Sequence, residues 1–470
     1  MLFLADVLEA LTNIRPESAL LAISEAAIDS RQVIPSAMFV ALAGERVDGH
    51  NFIAEAFKRG AGLALIQHPV ADYPIIDLRN GLPENFSQPK PPFCLMVEDS
   101  LKALQTIAAY WRKKLNKVEV VGITGSVGKS TTKELIYDVL SQQFRTLKSP
   151  GNMNNEIGLP LSLLRLGRGH QRAVLEMGFY VPGEIAFLCE LARPRIGVIT
   201  NIGTVHAERA GSQEAIAKGK SELVQALPED GVAILNYDDP WVRPMAEKTR
   251  AHVFYYGLDQ NADLWADHIE GQGLEGIKFR LHYQNEVLHL RAPLIGRHSV
   301  HTVLRATAVG LVENMTWQDI ISGLQQGRNQ LRLVAVHTKS GALLLDDTYN
   351  ASPESTLAAL NLLEELEGRK VAILGDMLEL GPYEQQGHRM VGARAAEVCN
   401  ELVAIGPRSK ITVQAARQAG MPAVSIKWFE QAPDAVDYLK ERLQIGDTAL
   451  VKGSLGMGMA RIVNALEIES

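Results

Sequence analysis

The sequence predicts an α/β protein of three domains. A chain of 470 residues is too long for one ordinary core, and its length suggests about three. In the middle of the chain, apolar runs such as VEVVGIT and RAVLEMG (172–178) alternate with helical patterns, which is typical of a parallel sheet covered on both faces. The alternation resumes in the last third. We therefore predict a small α/β domain at 1–115, a central parallel-sheet domain at 116–328 and a Rossmann-like α/β domain at 329–470.

The first domain is predicted from short apolar runs and helical stretches. Apolar residues at positions 4, 7, 8 and 11 have helical spacing. SAMFVALAG (36–44) and NFIAEAFKRGAGLALI (51–66) alternate in the same style, and the stretch 77–93, rich in Pro and Asn, reads as a surface loop. The helix expected at 100–115 ends in a basic run, which suits the helix dipole, and it closes the domain.

Composition excludes several classes of protein. The net charge is -7 and no basic stripe is present, which argues against nucleic acid as a partner. Cys94, Cys189 and Cys399 are far apart in apolar contexts, so they fit buried thiols in a reducing cytosol. The N-terminus lacks the basic region of a secretory signal, and no apolar run approaches the ~20 residues of a membrane span. We expect a soluble, cytoplasmic protein.

Strands of the second and third domains end in polar turns. Strands are expected at 195–203 and 231–240, and the alternating stretch 277–292 reads as a hairpin added to the central sheet. In the third domain GALLLDDTYN, RKVAILGDM, ELVAIGP and DTALVKGS each end in a turn with Gly, Asp or Asn. Because open α/β sheets bind ligands at the carboxyl ends of parallel strands, we expect both domains to face a nucleotide across a cleft.

VVGITGSVGKSTTKE (120–134) resembles a phosphate-binding loop with one irregularity. The general pattern G-x-x-x-x-G-K-[ST] puts a glycine where this chain has Ile123. The loop still lies between a predicted strand and a predicted helix, so backbone amides can hold phosphate oxygens. Lys129 supplies a charge for the terminal phosphates, and Ser130 a hydroxyl for Mg²⁺. The alternative, a plain glycine turn, is disfavoured by Gly-Lys-Ser in this context. The expected apolar face of the helix comprises Leu135, Ile136, Val139, Leu140 and Phe144.

Other predicted strand ends carry ionisable residues, and each of these residues has a functional and a purely structural interpretation. Glu176 could complete a magnesium shell or be a solvated acid, and the residue alone does not decide. His206 is weak evidence, since a single histidine is more often structural. Lys218 and Lys220 lie near a predicted helix start, where the dipole disfavours cations. They would either face an anion or be exposed lysines.

The third domain adds a polar group after the strand in LLLDDTYNASPES. Ser352 followed by Pro353 is typical of a helix N-cap and first helical position. Capping does not account for Asp346, Asp347 and Asn350. Lys452 also ends a strand, where a solvated cation is the alternative.

Together these stretches resemble the Mur ligase family, which builds the peptide stem of bacterial cell-wall precursors. The phosphate loop of that family, G-x-T-G-[ST]-x-G-K-[ST], has its first glycine one place earlier, and 122–130 fills it. The stretch 29–65 resembles the N-terminal domain that binds a UDP-sugar. Stretches similar to the branch that adds D-alanyl-D-alanine are 151–166, 343–355, 374–381 and 450–454. The D-N-P-R motif of the branch that adds a diamino acid is absent from the sequence.

The resemblance implies roles for individual residues. Lys129 would hold the β- and γ-phosphates and Ser130 one Mg²⁺. Glu176 and His206 would join a second metal site, with Lys220 carbamylated to give a carboxylate-like ligand. The implied catalytic residues are Lys129, Glu176, His206, Lys220, Asp347 and Asn350. The implied nucleotide contacts are Thr124, Gly125, Ser126, Val127, Gly128, Lys129, Ser130, Thr131, His298, Arg332 and Asp347. The implied substrate contacts are Ser30, Arg31, Asn154, Asn155 and Lys452, the first four at the UDP end.

Three positions depart from the family pattern. Ser299 stands where G-x-H-N has Asn, Gln330-Leu331-Arg332 replaces the linker P-G-R, and Leu455 stands where the branch often has Arg. The first affects the adenine contact and the third affects recognition of the dipeptide. None of the three falls in the phosphate loop or on the implied metal ligands.

The resemblance implies a ligase that uses ATP and Mg²⁺ and acts as a monomer. It would add D-alanyl-D-alanine to UDP-N-acetylmuramoyl-tripeptide through an acyl phosphate. The alternatives are a diamino-acid-adding relative, a folylpolyglutamate synthase relative, a kinase and a catalytically silent nucleotide-binding relative. The N-terminal domain argues against the second and third. The retained phosphate-loop and metal residues argue against the last.

Overall fold

The computed structural model describes residues 1–44, 47–204, 207–326 and 334–467. Within these ranges the strands form three larger β-sheets and a small two-stranded sheet. Helices cover the sheets, and separate apolar cores lie between the layers. The predicted α/β class with three layered units is confirmed, while the boundaries at 115/116 and 328/329 stay predictions.

The first sheet is small and parallel, in the order β3-β4-β5-β7-β6. Asp99 caps the long helix α3 by accepting from the backbone N–H groups of Leu101 and Lys102. Further along that helix, Trp111 and Arg112 donate to carbonyl oxygens of Leu166 and Ala192, so α3 fastens this sheet to the next one. The elements are β1 (Leu2–Phe3), α1 (Leu4–Thr12), β2 (Ala22–Ile23), β3 (Ala26–Ala27), β4 (Met38–Val40), α2 (Ile53–Lys58), β5 (Leu63–Ile66), β6 (Ile75–Asp77), β7 (Phe93–Met96) and α3 (Ser100–Lys114).

The central sheet has the order β16-β15-β14-β13-β12-β11-β8-β10-β9. Strands β8 to β14 pair in parallel, and β14, β15 and β16 pair antiparallel, so the predicted hairpin is confirmed. The elements are β8 (Glu119–Thr124), α4 (Lys129–Leu140), β9 (Thr146–Lys148), α5 (Gly158–Leu164), β10 (Arg172–Glu176), α6 (Glu184–Ala192), β11 (Ile196–Ile199), α7 (Ala207–Ala210), α8 (Gln213–Gln225), β12 (Val232–Asn236), β13 (His252–Gly257), β14 (Leu264–Gly271), β15 (Ile277–Tyr283), β16 (Glu286–Ala292), α9 (Val300–Val312) and α10 (Trp317–Gln326).

The third sheet has the order β17-β18-β22-β19-β20-β21. Only β17 runs antiparallel to its neighbour among these described strands. Ser352 caps α11 and Pro353 is its first residue, as the sequence indicates. The elements are β17 (Val334–His337), β18 (Leu343–Asp347), α11 (Pro353–Glu365), β19 (Arg369–Gly375), α12 (Glu384–Val398), β20 (Glu401–Ile405), α13 (Ser409–Gln418), β21 (Ile426–Phe429), α14 (Val436–Arg442), β22 (Asp447–Lys452) and α15 (Ala460–Leu466).

Two local expectations were wrong. Helix α4 ends at Leu140, so Phe144 lies beyond it and packs only partly buried against the core. Helix α8 begins at Gln213, because Ser212 caps it, and Lys218 and Lys220 therefore lie in its middle rather than near its start.

The three cysteines are buried free thiols, as expected. Burial raises the pKa of each thiol to about 12, which keeps them protonated and unreactive. In the part of the chain that the structure describes, no helix is long and apolar enough to cross a membrane.

Candidate active site

The phosphate loop lies at the carboxyl end of β8, between its two neighbours β10 and β11. Gly128, with φ +83°, turns the chain into α4, which begins at Lys129. Gly125 has φ +146°, and a Cβ atom there would lie 1.8 Å from Oγ1 of Thr200. Both glycines are therefore required by backbone conformation or close approach. The first-turn amides of α4 point out of the helix start, as a phosphate site needs.

Ser130 and Glu176 meet beside this loop. The Ser130 hydroxyl donates to Oε2 of Glu176 at 2.5 Å, and Asn154 Nδ2 donates to Oε1 at 2.9 Å. Glu176 is 2% exposed, so the solvated-acid reading is wrong. The structure brings the end of β10 and the start of α4 together as an oxygen-rich group.

Lys129 folds back over its own loop. Its Nζ donates to the carbonyl oxygen of Gly125 at 2.8 Å and lies 3.4 Å from that of Ser126. The ammonium is half-buried and carried by the first turn of α4. It is in place to exchange carbonyl contacts for an anion held by the loop.

Lys220 reaches the same loop from the middle of α8. Its side chain is 1% exposed, and Nζ donates to the Gly125 carbonyl at 3.0 Å. Burial, with Lys129 nearby, lowers the pKa of the Lys220 ammonium well below its usual value. The exposed-lysine reading is therefore wrong for Lys220, whereas Lys218 is exposed.

The residues after β11 hold the tip of the loop, a contact that sequence reasoning missed. Asn201 accepts from the Val127 N–H through Oδ1 at 2.9 Å, and its Nδ2 donates to the Val127 carbonyl at 3.2 Å. The Asn201 carbonyl accepts from the Ser126 N–H at 2.9 Å. Thr200 Oγ1 donates to the Val127 carbonyl at 2.7 Å. The backbone N–H groups of Ser126 and Val127 are thus already hydrogen-bonded within the protein. The N–H groups at and after Gly128 are therefore the ones that can bind phosphate.

A second polar group ends β18 and β22 in the third sheet. Lys452 Nζ lies 2.6 Å from Oδ2 of Asp347 and donates to the Asn350 carbonyl at 2.9 Å. Lys452 is 2% exposed, so the solvated-cation reading is wrong. Because its charge is already paired with Asp347, the arrangement favours a positioning role for Lys452.

Glu354, in the first turn of α11, joins the third unit to the segment that follows β11. Its Oε1 accepts from the backbone N–H of Thr204 at 3.1 Å and from the Thr204 hydroxyl at 3.2 Å. Thr204 follows Asn201 by three residues, so the contact reaches the segment that holds the phosphate loop. Glu354 was not singled out from the sequence, and no local pattern there indicates a partner 150 residues away.

The residues expected at the UDP end fall into two places. The Ser30 hydroxyl donates to Glu55 at 2.9 Å, and Arg31 pairs with Asp29 at 2.8 Å, both in the first domain. Asn154 instead contacts Glu176, and Asn155 Oδ1 accepts from the Gly158 N–H, at the start of α5, at 2.9 Å. The structure therefore brings Asn154 to the phosphate loop.

Several other residues that the resemblance implicates lie between helices and strands, or outside the described residues. His298 is exposed just before α9, and Ser299 closes that turn by donating to the Ile295 carbonyl at 2.7 Å. Leu455 is exposed after β22. His206 and the linker residues Gln330, Leu331 and Arg332 lie outside the described residues.

Asp48, His50 and His68 form a separate cluster with ligand atoms within 4.8 Å of one another. Nδ1 of His50 contacts Asp48 at 2.6 Å, and Nε2 accepts from the Gln67 N–H at 2.9 Å. Both ring nitrogens of His50 are therefore occupied by protein partners. We assign no metal to this cluster.

A parallel sheet with a Lys-Ser phosphate loop, a buried carboxylate beside the serine and a second α/β layer facing it defines a nucleotide-dependent phosphoryl-transfer enzyme. Family models agree: the Mur ligase middle domain matches residues 123–310, the glutamate ligase domain 331–455 and the Mur ligase family catalytic domain 22–87.

Known proteins match over almost the whole chain. A UDP-N-acetylmuramoyl-tripeptide–D-alanyl-D-alanine ligase of Synechocystis is 36% identical over 100% of this chain and 96% of its own length. A crystal structure of MurF from Acinetobacter baumannii has a TM-score of 0.84 at 30% identity, covering 98% of this chain and 97% of that one. MurF ligase from Thermotoga maritima, solved with ADP, has a TM-score of 0.76 at 27% identity and coverages of 94% and 96%. The chain belongs to the Mur ligase family, and it is an ATP-dependent ligase that forms amide bonds.

Proposed function

We propose that this enzyme adds D-alanyl-D-alanine to UDP-N-acetylmuramoyl-tripeptide, giving UDP-N-acetylmuramoyl-pentapeptide, ADP and phosphate in peptidoglycan precursor synthesis. The observation that carries the proposal is the buried group of Ser130, Glu176 and Lys220 around a complete phosphate loop. It occurs in a chain that is 36% identical to such a ligase over its full length.

The chemistry requires activation of a carboxylate. A carboxylate does not accept an amine at neutral pH, because oxide would have to leave. Its oxygen attacks the γ-phosphorus of ATP, ADP leaves, and the product is an acyl phosphate. The amine of D-alanyl-D-alanine then attacks the carbonyl carbon, a proton is lost, and phosphate leaves. Lys129 offsets negative charge on the phosphoryl group during the first step.

Magnesium fits the oxygen donors beside the loop. Mg²⁺ prefers hard oxygen ligands, and the Ser130 hydroxyl and the Glu176 carboxylate already meet there. The ion would neutralise charge on the phosphate chain. We propose Ser130 and Glu176 as ligands from this chain, with His206 as a further one.

We propose that Lys220 is carbamylated in the active enzyme. Its amine attacks CO₂ through the nitrogen lone pair and loses a proton, giving a carbamate. Burial, with Lys129 nearby, lowers the pKa of Lys220, which favours the neutral amine that this step needs. The carbamate would add a negative oxygen donor beside Lys129 and the metal.

The remaining roles complete the proposal. Asp347 and Asn350 would contact the nucleotide from the third domain, with Lys452 holding both, and we propose His298 and Arg332 as further nucleotide contacts. Ser30 and Arg31 meet the UDP end of the substrate.

The enzyme acts as a monomer in the cytoplasm. The cytoplasmic location fits its buried free thiols, and light scattering after gel filtration can test the monomeric state.

Phosphate release from ATP tests the proposed function. The enzyme is given UDP-N-acetylmuramoyl-tripeptide with D-alanyl-D-alanine, with a diamino acid, or with no amine. We expect turnover only with the dipeptide. Turnover with the diamino acid would move the chain to the sibling branch, and equal release without any amine would contradict the ligase mechanism. Removal of CO₂ and bicarbonate should lower the rate if Lys220 is carbamylated.

A further inference from the structure

Arg305 is a buried cation beside the phosphate loop. It projects from α9 and is 4% exposed. A Cβ atom built on Gly128 would lie 3.4 Å from Nη2 of Arg305. The guanidinium therefore lies against the turn that leads into α4.

Neutral groups satisfy only part of this guanidinium. Nη2 donates to Oγ1 of Thr302 at 2.7 Å, and Nη1 lies 3.5 Å from the Tyr256 hydroxyl. Nε is buried with no hydrogen-bond partner among the described residues. Arginine has five N–H donors and does not lose its proton in proteins. The guanidinium of Arg305 therefore stays positively charged.

Arg305 forms no salt bridge with any residue that the structure describes, although Asp238 and Asp239 lie in the region of Tyr256. Burial raises the pKa of Tyr256 to about 12, so its phenol stays neutral. The two carboxylates are hydrogen-bonded to other groups, Asp238 to His301 at 2.8 Å and Asp239 to the backbone N–H groups of Ile202 and Trp241. An unpaired buried charge is strongly unfavourable, which indicates that the anion comes with a ligand.

We propose that Arg305 binds the phosphate chain of the adenine nucleotide next to Gly128, as a contact additional to that of Lys129. The inference rests on the proposed function only in its requirement for ATP. The planar donor fork of arginine matches phosphate oxygens. Arg305 approaches the loop from α9, whereas Lys129 and Ser130 belong to α4.

Equilibrium binding of ATP, ADP and adenosine to the full chain tests this contact. Arg305→Met keeps the length of the side chain and removes the charge. We expect it to weaken ATP and ADP binding by about tenfold or more, because charge-assisted bonds to phosphate are lost. Adenosine, which lacks phosphate, should bind as to the unaltered protein. Arg305→Lys should be intermediate, since it keeps the charge without the fork.

Thermal unfolding of the nucleotide-free protein separates binding from a structural role. Arg305→Met should not lower the unfolding temperature, because it removes an unpaired charge. The control is Arg112→Met, since Arg112 is buried but donates to carbonyls of Ala192, Leu115 and Val118. That variant should unfold at lower temperature and bind ATP normally once folded.

Three results would overturn the inference. They are unchanged ADP affinity in Arg305→Met, an equal loss for adenosine, and a fall in unfolding temperature like that of Arg112→Met or failure to fold. If the unaltered protein binds ATP and the variant binds it equally well, the inference alone fails. If the unaltered protein binds no nucleotide, the proposed function fails with it.

Discussion

At the scale of single residues, two charged side chains at strand ends are held by burial and by hydrogen bonds. Glu176 and Lys452 could each have been solvated charges at strand ends. Both are 2% exposed and hydrogen-bonded to other expected site residues, Ser130 and Asp347. Residue type and strand end were readable in the sequence. The partner was not, because it comes from another strand or helix.

Lys129→Ala should strongly reduce turnover. The ammonium that offsets phosphoryl charge would be missing, and we expect a loss on the order of 10²- to 10³-fold in kcat. Phosphate release under saturating ATP measures the effect. Lys218→Ala is the control, since Lys218 is exposed on α8; equal rates for the two variants would show that the loop has been misassigned.

His388 should make the third domain sensitive to acid. It is 1% exposed, and burial lowers its pKa to about 4 from an ordinary 6.5. The unfolded chain therefore binds more protons between these values, so stability is full above pH 6.5 and is lost as pH falls towards 4. The difference corresponds to roughly 3 kcal/mol at most.

Urea unfolding at several pH values measures this contribution. His388→Gln should flatten the fall in the free energy of unfolding between pH 6.5 and 4. The exposed His289→Gln is the control and should keep the slope of the unaltered protein. An unchanged slope in His388→Gln would show that another group carries the acid sensitivity.

At the scale of elements, the phosphate loop is held from outside as well as by its own glycines. The segment after β11 holds the Ser126–Val127 tip through Thr200 and Asn201. Strand β8, the loop and the start of α4 were predictable from local pattern. This clamp was not, because Asn201 and Val127 are 74 residues apart.

Asn201→Ala should weaken nucleotide binding. It removes two hydrogen bonds to the Val127 backbone, and we expect roughly a tenfold loss in ATP affinity. Titration calorimetry with ATP measures it. Asn400→Ala is the matched control, because Asn400 also accepts from a backbone N–H, that of Lys370 near the start of a strand in the third sheet. An equal loss of ATP affinity in Asn400→Ala would show that the effect does not come from the contact with the phosphate loop.

Four of the strands that the sequence did not predict share a physical cause, whereas β7 (Phe93–Met96) is fully buried and was not predicted either. Strands β13, β14, β17 and β21 are edge or half-covered strands, with partly polar faces that break the buried pattern. The start of α8 was predicted too close to Lys218, whereas the helix begins at Gln213. The signal that fixes it is Ser212, whose hydroxyl accepts from the Ala215 N–H.

At the scale of the whole molecule, the site is assembled from three adjacent strand ends and a facing domain. The carboxyl ends of β10, β8 and β11 supply Glu176, the loop and its clamp. The expected side chains lie together at the strand ends because parallel strands put these ends on one edge. Which side chains touch across domains depends on packing between distant segments.

Glu354→Ala should slow the complete reaction more than it weakens ATP binding. It removes the contact from α11 to Thr204, and domain closure protects an acyl phosphate from water. We expect a fall of about threefold to tenfold in kcat/KM for the amine, given the modest strength of such an exposed contact.

Steady-state kinetics measures kcat/KM for the amine, and titration with ATP measures the affinity for ATP. Glu364→Ala is the control on the same helix, because Glu364 pairs with Arg394 on α12. It should leave both quantities unchanged. A parallel loss of ATP affinity in Glu354→Ala would place its effect at the phosphate loop rather than at closure.

The central claim is that a carboxylate of the substrate is phosphorylated before the amide forms. It is tested most directly with UDP-N-acetylmuramoyl-tripeptide whose terminal carboxylate carries ¹⁸O in both positions. Mass spectrometry of the released phosphate reads the result. One ¹⁸O per phosphate is predicted, because the bridging oxygen of the acyl phosphate leaves with phosphorus. Phosphate without ¹⁸O, alongside amide product, would contradict the account.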